Sequence, residues 1–333
     1  MSWQNVLDAA TLREIFDRDI APTLSASGTI TLRPTLVLVG AQPGAGKSRS
    51  IADVQDEYPD ATAIIGDDFR AFHPDYWDLM DSDPLAMPGV TAQASGAWVG
   101  MSAEHLRQER RSVILETTMR QHDVVARTAA AFRDSGYRAE VRALAVPGAV
   151  SLLGTVSRFL GAGTGADRNR WTPSAAHAAA YSAMPDAIEQ LVANSAVDRI
   201  TVLTRSQQVL YDRSVDEASA GTVAGEARRA VDAGRSLNGM SPAEGAHWVR
   251  EYMSAAVTIS RARDTSQDLR DTMTALASDA PAIIHASYEP AERPAVVNAV
   301  RTASRRLSAP RAAEDTGPST GPVISGSGGP RLG

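Results

Sequence analysis

Residues 34–40, PTLVLVG, form an uncharged run in which Leu36, Val37, Leu38 and Val39 follow one another and a glycine closes the segment. A short branched run of this kind predicts a strand buried on both faces. Four more runs have the same character: ATAIIGDD (61–68), SVILE (112–116), RAEVRALAVP (138–147) and DRITVLT (198–204). Between them apolar positions return every three or four residues, as on one face of a helix. This holds for SRSIADVQDEY (48–58), AEHLRQERR (103–111), DVVARTAAAFRDSG (123–136), VSLLGTVSRFLGAG (150–163) and the segment 172–195. Pro185 is expected to kink or break the last of these. Residues 4–20 also predict a helix. Residues 75–98, rich in Pro, Asp and Gly, predict mostly loop with short helical turns.

Strands that alternate with helices predict an α/β fold with a mostly parallel sheet flanked by helices. Such sheets bind ligands at the carboxyl ends of their strands, where Asp67, Asp68 and Glu116 stand. After about residue 213 strand signals fade. Three helical segments follow, 224–234, 242–264 and 292–307, and then a Gly/Pro/Ser-rich tail. The expected division is a kinase-like domain over 1–212, a helical extension over 213–307 and a disordered tail over 308–333.

Composition narrows the function. The chain of 333 residues carries a net charge of −6 and no cysteine. Disulfides, thiolate metal sites and a cysteine nucleophile are excluded. An acidic balance argues against a nucleic-acid binder. No uncharged apolar stretch reaches the roughly 18 residues that a membrane helix needs, and the first twenty residues lack the pattern of a signal peptide. A cytoplasmic protein is expected.

The chemistry begins after the first strand. Ala41-Gln42-Pro43-Gly44-Ala45-Gly46-Lys47-Ser48, followed by Arg49, matches [AG]-x4-G-K-[ST], with alanine where the strict phosphate-loop motif has glycine. Gly44 and Gly46 let successive N–H groups face one anion, and the helix that follows adds its positive end. Ser48 is the candidate Mg2+ ligand. Lys47 is the sole lysine in the chain; every other basic side chain among the 33 Lys+Arg residues is arginine. A slim ammonium reaches between phosphates where the planar arginine fork does not fit.

A phosphate loop alone does not choose between kinase, GTPase and ATPase. The N-K-x-D base-reading motif of GTPases is impossible here, because the lysine is already used. SVILE keeps an ATPase motor open. A small-molecule kinase needs a carboxylate for the acceptor proton and arginines over the transferring phosphoryl group. Asp67 lies at a strand end twenty residues after Lys47, and Arg158, Arg168 and Arg170 follow the fourth strand.

The set GAQPGAGKS, GDDFRAFHPDY, VILETT, LAVP with LLGTVSRF, and NRWTP resembles the zeta toxin family over residues 35–212, in family order. The resemblance implies a toxin–antitoxin kinase that uses ATP, with GTP left open, and Mg2+ to phosphorylate the 3′-hydroxyl of UDP-N-acetylglucosamine or a related nucleotide sugar. It implies that residues 42–49 bind the donor, with Lys47 on the β/γ-phosphates and Ser48 on Mg2+. Asp67 would be the base, and Phe69, His73, Glu116 and Thr117 would shape or bind the acceptor. Arg158 and Arg170 would neutralise charge on the phosphoryl group, with Arg168 a weaker candidate. An antitoxin protein is the implied partner.

Two positions depart from the family. Its E-G-T is Glu116-Thr117-Thr118 here. Its further substrate-binding glutamate aligns with Val99 or Gly100, with Glu104 one turn beyond. These departures leave other acceptors open: an antibiotic or a dinucleotide. A reading of another class is an ATP-binding switch whose helical extension holds a partner. The remaining histidines show no metal-ligand spacing and read as structural.

Overall fold

The computed structural model describes residues 3–162, 170–262 and 265–308. Arg168 and the tail after residue 308 lie outside the described residues. The chain runs through α1 (Ala9–Ile15), α2 (Ala21–Ser25), β1 (Thr35–Gly40), α3 (Lys47–Glu57), β2 (Thr62–Ile64), α4 (Tyr76–Ser82), α5 (Met87–Val90), α6 (Ala92–Gln108) and β3 (Val113–Thr117). It continues through α7 (His122–Asp134), β4 (Arg138–Leu144), α8 (Gly148–Ser157), α9 (Ser174–Ala193), β5 (Arg199–Leu203), β6 (Val209–Ser214), α10 (Ala220–Gly234), α11 (Pro242–Arg261), α12 (Gln267–Ser287) and α13 (Arg293–Ser308).

The six strands form one sheet in the order β2-β3-β1-β4-β5-β6. The first five are parallel, and β6 pairs antiparallel with β5. β1 is buried along its whole length, as its unbroken apolar run requires. Gly40 pairs in register with Thr117 on one side and Ala143 on the other. The loop that leaves β1 therefore emerges beside the carboxyl end of β3. Among the described residues no helix is long and apolar enough to cross a membrane.

The sequence reading needs five corrections. β6 carries no buried residue, so it left no apolar run to find. Residues 75–98 are mostly helical, in α4, α5 and the first turns of α6; the small polar residues of α6 hide its buried face of Ala94, Trp98 and Leu106. The N-terminal helical stretch lies over 9–25. α12 was not foreseen, and Pro281 lies inside it. Finally, α9 passes through Pro185 without ending. Proline deprives the carbonyl four residues earlier of its helical donor. That carbonyl belongs to Tyr181, and the guanidinium of Arg235 donates to it.

Two cores are built. Around the sheet, the apolar faces of α6, α7 and α9 are joined by Val223, Ala224, Ala227 and Val231 of α10. The second core lies among α11, α12 and α13, centred on Trp248, Tyr252, Leu276 and Ile283, and takes in Leu153 and Val156 of α8 and Trp171. α8 thus carries the helical extension on one face and the phosphate loop on the other. Asp268 of α12 adds a polar tie: it accepts from Trp171 Nε1 at 2.9 Å and from the backbone of Ser174 at 3.2 Å.

Candidate active site

The loop over residues 41–46 curls because two of its glycines hold left-handed backbone, Gly44 at φ 75° and Gly46 at φ 97°. A Cβ on Gly44 would lie 2.0 Å from the carbonyl oxygen of Ser151, so α8 packs directly against the loop. Ala41 is absent from the described residues with positive φ. Its methyl group is buried beside Ala45, Leu144, Val146 and Leu203. Alanine therefore satisfies the position where the strict motif has glycine. The Gln42 side chain faces away from the loop's concave side. Its Nε2 donates to the Val146 carbonyl at 2.9 Å and to Ser151 Oγ at 3.1 Å. Ser151 Oγ in turn pairs with His177 Nε2 at 2.9 Å. Burial holds His177 well below its usual range, at about 4, and the charges of Lys47 and Arg235 add to that.

Lys47 opens α3, with only 8% of its surface exposed. Its ammonium donates to the Ala41 carbonyl at 3.1 Å and lies 3.3 Å from Glu116 Oε1. Burial lowers its pKa; the Glu116 charge opposes that, and Arg158 and Arg170 reinforce it. A cavity of about 310 Å³ lies above the loop, lined by Gly44, Gly46, Lys47 and Ser48 and by the acids Asp67, Asp68 and Glu116.

A second cavity, of about 420 Å³, shares Lys47, Asp67, Glu116 and Arg158 with the first. Beyond them it is lined by Pro43, Arg70, Arg120, Arg170 and the start of α9. Asp67 thus stands where the two cavities meet. Arg170 forms an ion pair with its Oδ2, and Arg70 Nε donates to its Oδ1 at 2.9 Å. Arg70 is itself fixed by Nη1 donation to the Pro88 carbonyl at 2.8 Å and to Thr91 Oγ1 at 2.6 Å. Arg170 is nine-tenths buried, and burial brings its pKa down to about 10. Arg158 Nη2 reaches Thr172 Oγ1.

The structure thus brings together Lys47, Ser48, Asp67, Glu116, Arg158 and Arg170. It places other predicted residues differently. Phe69 is buried against Phe72, their rings 6.5 Å apart. His73 is buried, and its Nδ1 accepts from the Asp75 backbone at 3.1 Å. Both support the turn that presents Asp67 and line neither cavity. Thr117 Oγ1 accepts from the Met119 backbone, while Thr118 lines the second cavity. Arg49 is exposed on α3. Glu104 is exposed and held by Arg107 and Gln108, away from both cavities. Val99, one of the two positions that align with the family's glutamate, lies close enough to Gly66 that an added Cβ there would meet it at 3.2 Å.

Sequence reasoning missed Arg70 and Arg205. Arg70 follows Asp67 by three residues, the spacing that brings side chains together in a helical turn, and that was its only signal. Arg205 follows β5 and donates from Nη1 to the Gly44 carbonyl at 2.8 Å. Nothing in its neighbourhood of sequence marks it.

Among the described residues no group of three or more His, Asp or Glu side chains forms a metal cluster. The phosphate cavity does present the exposed Ser48 hydroxyl, a donor that fits a hydrated Mg2+ held mainly by water and phosphate.

Comparison with known proteins places this geometry. The Zeta toxin family model matches residues 24–216. The chain is 28% identical over 193 residues to Toxin PezT of Streptococcus pneumoniae, covering 57% of this chain and 76% of that one. It is 27% identical over 180 residues to Toxin zeta of Streptococcus agalactiae, covering 54% of this chain and 63% of that one. In fold it is similar to a solved structure from the PezAT toxin–antitoxin system of Streptococcus pneumoniae, with a TM-score of 0.54 and 21% identity over 69% of this chain and 97% of that one. The match spans more than half of the chain and includes both the phosphate loop and Asp67: the chain belongs to the zeta toxin family.

Proposed function

We propose that this protein is a kinase that moves the γ-phosphoryl group of ATP to a hydroxyl of a nucleotide sugar. In this reading it is the toxin of a toxin–antitoxin pair and has an antitoxin protein as its partner. The observation that carries the kinase reading is the position of Asp67, at the junction of the phosphate cavity and a second cavity rich in arginine. A carboxylate there can accept the proton of a hydroxyl that enters from the second cavity and attacks a phosphoryl group in the first.

Each side chain has a role in this scheme. The loop N–H groups and Lys47 hold the β- and γ-phosphates, and Lys47 exchanges its contact with Glu116 for phosphate oxygen. Ser48 would hold Mg2+, which offsets phosphate charge and orients the γ-phosphoryl group. Arg158 and Arg170 stabilise the charge that develops in transfer. Arg70 keeps Asp67 aimed. Burial strengthens the contacts of Lys47 and Arg170. Arg120 and Arg170 line the second cavity and suit the diphosphate of a nucleotide sugar. UDP-N-acetylglucosamine, phosphorylated at its 3′-hydroxyl, is the proposed acceptor, as the family membership suggests.

The test is to incubate the purified protein with MgATP and a panel of UDP-sugars, aminoglycosides, chloramphenicol and NAD. A mass gain of one phosphoryl group on UDP-N-acetylglucosamine supports the reading in full. A gain on another compound alone replaces the acceptor and keeps the kinase.

A further inference from the structure

The family match ends at residue 216, yet residues well beyond it reach the phosphate site. The end of α10, the short turn Leu237–Gly239 and the first half of α11 wall a third cavity of about 540 Å³. Arg205 and Glu251 line both this cavity and the phosphate cavity. The three cavities are therefore in series, with the phosphate cavity in the middle and Asp67 at its junction with the second cavity.

The third cavity differs in chemistry from the other two. Its body is apolar, formed by Val146, Val150, Leu210, Met240 and Trp248. Gln208, Glu244 and Glu251 add a few polar groups. Glu244 is engaged by Ser241 at the cap of α11, which leaves Gln208 and the Glu251 carboxylate to meet ribose hydroxyls and ring amino groups. Flat apolar faces with a polar edge are the features of a nucleoside, and this lining matches them. Arg205 stands at the boundary, fixed through its bond to the Gly44 carbonyl. A planar guanidinium held in that way suits stacking on a base. The loop between β5 and β6 that carries Arg205 and Gln208 is ordered by its own bonds. Thr204 N donates to the Gln208 carbonyl at 2.9 Å, and Gln207 sits at φ 67°. A side-chain-bearing residue in that conformation stores strain, as functional loops often do.

We infer that the third cavity receives the nucleoside half of the triphosphate donor, so that the helical extension builds one wall of the donor site. This rests on the phosphate-loop reading above. The extension then selects which triphosphate is used, and the loop alone would hold phosphate without regard to base.

Two substitutions fill the cavity from its exposed rim. Ala243 is exposed on the first turn of α11, and a Cβ at Gly239 would meet nothing within 4 Å. Ala243→Trp and Gly239→Leu should therefore fold normally. Isothermal titration with MgATP, MgGTP and inorganic triphosphate reads the outcome. The native chain should bind its better nucleotide at least tenfold more tightly than triphosphate. Each variant should lose at least tenfold for that nucleotide while its triphosphate affinity stays within twofold. Unchanged nucleotide affinity in both variants overturns the inference, as does an equal loss for nucleotide and triphosphate. A native chain that binds neither compound overturns the phosphate-loop reading itself.

Discussion

Arg170 pairs with Oδ2 of Asp67, while Arg70 donates to Oδ1 of the same carboxylate. The two arginines come from opposite ends of the fold, one after the fourth strand's helix and one from the turn after β2. They meet on one acid because the sheet brings the carboxyl ends of its strands to one edge. A carboxylate held by two guanidinium groups stays aimed. That makes the three residues a unit, whose members should not contribute additively.

Asp67→Asn removes the proposed base and keeps the shape. Phosphoryl transfer should fall by about 10² to 10⁴, with ATP affinity unchanged by titration. Arg70→Ala removes a positioning contact made outside the reacting atoms. Its turnover should fall by about tenfold or more, and Arg70→Lys should restore part of it, because an ammonium can still donate to Asp67. A merely structural Arg70 would show no such rescue.

Lys47→Arg tests why the chain keeps a single lysine. The ammonium sits within 3.3 Å of two different oxygens, on Ala41 and Glu116, with almost no exposed surface. A guanidinium has no room for its fork there. Turnover should fall by about 10² or more, and the crowded guanidinium should lower the melting temperature. Near-native turnover in Lys47→Arg would remove the lysine from its assigned role.

His177 predicts a dependence of stability on pH. Burial pushes its folded pKa down to about 4 from the ordinary 6.5. The unfolded chain therefore binds the proton first. Stability is complete above pH 6.5, declines as pH falls toward 4 and levels off below that. The shift corresponds to about 3 kcal/mol. His177→Gln should flatten this slope in denaturant melts between pH 7 and 4. An equally steep decline in the variant would assign the effect elsewhere.

Gly44→Ala should fail for two reasons at once. The residue holds positive φ, and a methyl group there would overlap the Ser151 carbonyl and the Thr155 backbone. Destabilisation of about 1–3 kcal/mol is expected, together with loss of ATP binding. Gly100→Ala, inside α6 where a Cβ meets nothing within 4 Å, is the control that should keep ATP binding and raise stability slightly.

Much of this site was legible before the fold was seen. β1 announced itself through four consecutive apolar residues, and the phosphate loop through glycines at fixed offsets. Asp67 and Glu116 followed from the rule that parallel sheets work at their carboxyl ends. What was not legible depends on contacts distant in sequence. β6 buries none of its residues, so no pattern marks it. Pro281 and Pro185 are exceptions to local propensity that tertiary contacts permit, the latter through Arg235. Arg205 is one arginine in a chain full of them, and only folding brings it to Gly44, 161 residues away. The reach of α11 to the phosphate site likewise follows from how α8 joins the two cores.

The central claim is transfer of a phosphoryl group to a hydroxyl, and γ-labelled ATP tests it most directly. The native chain, given MgATP and UDP-N-acetylglucosamine, should place the label on the sugar's 3′-hydroxyl, and the Asp67→Asn protein should bind the same ATP and transfer at least a hundredfold more slowly. Label released only as inorganic phosphate, or equal transfer by Asp67→Asn, would contradict the account.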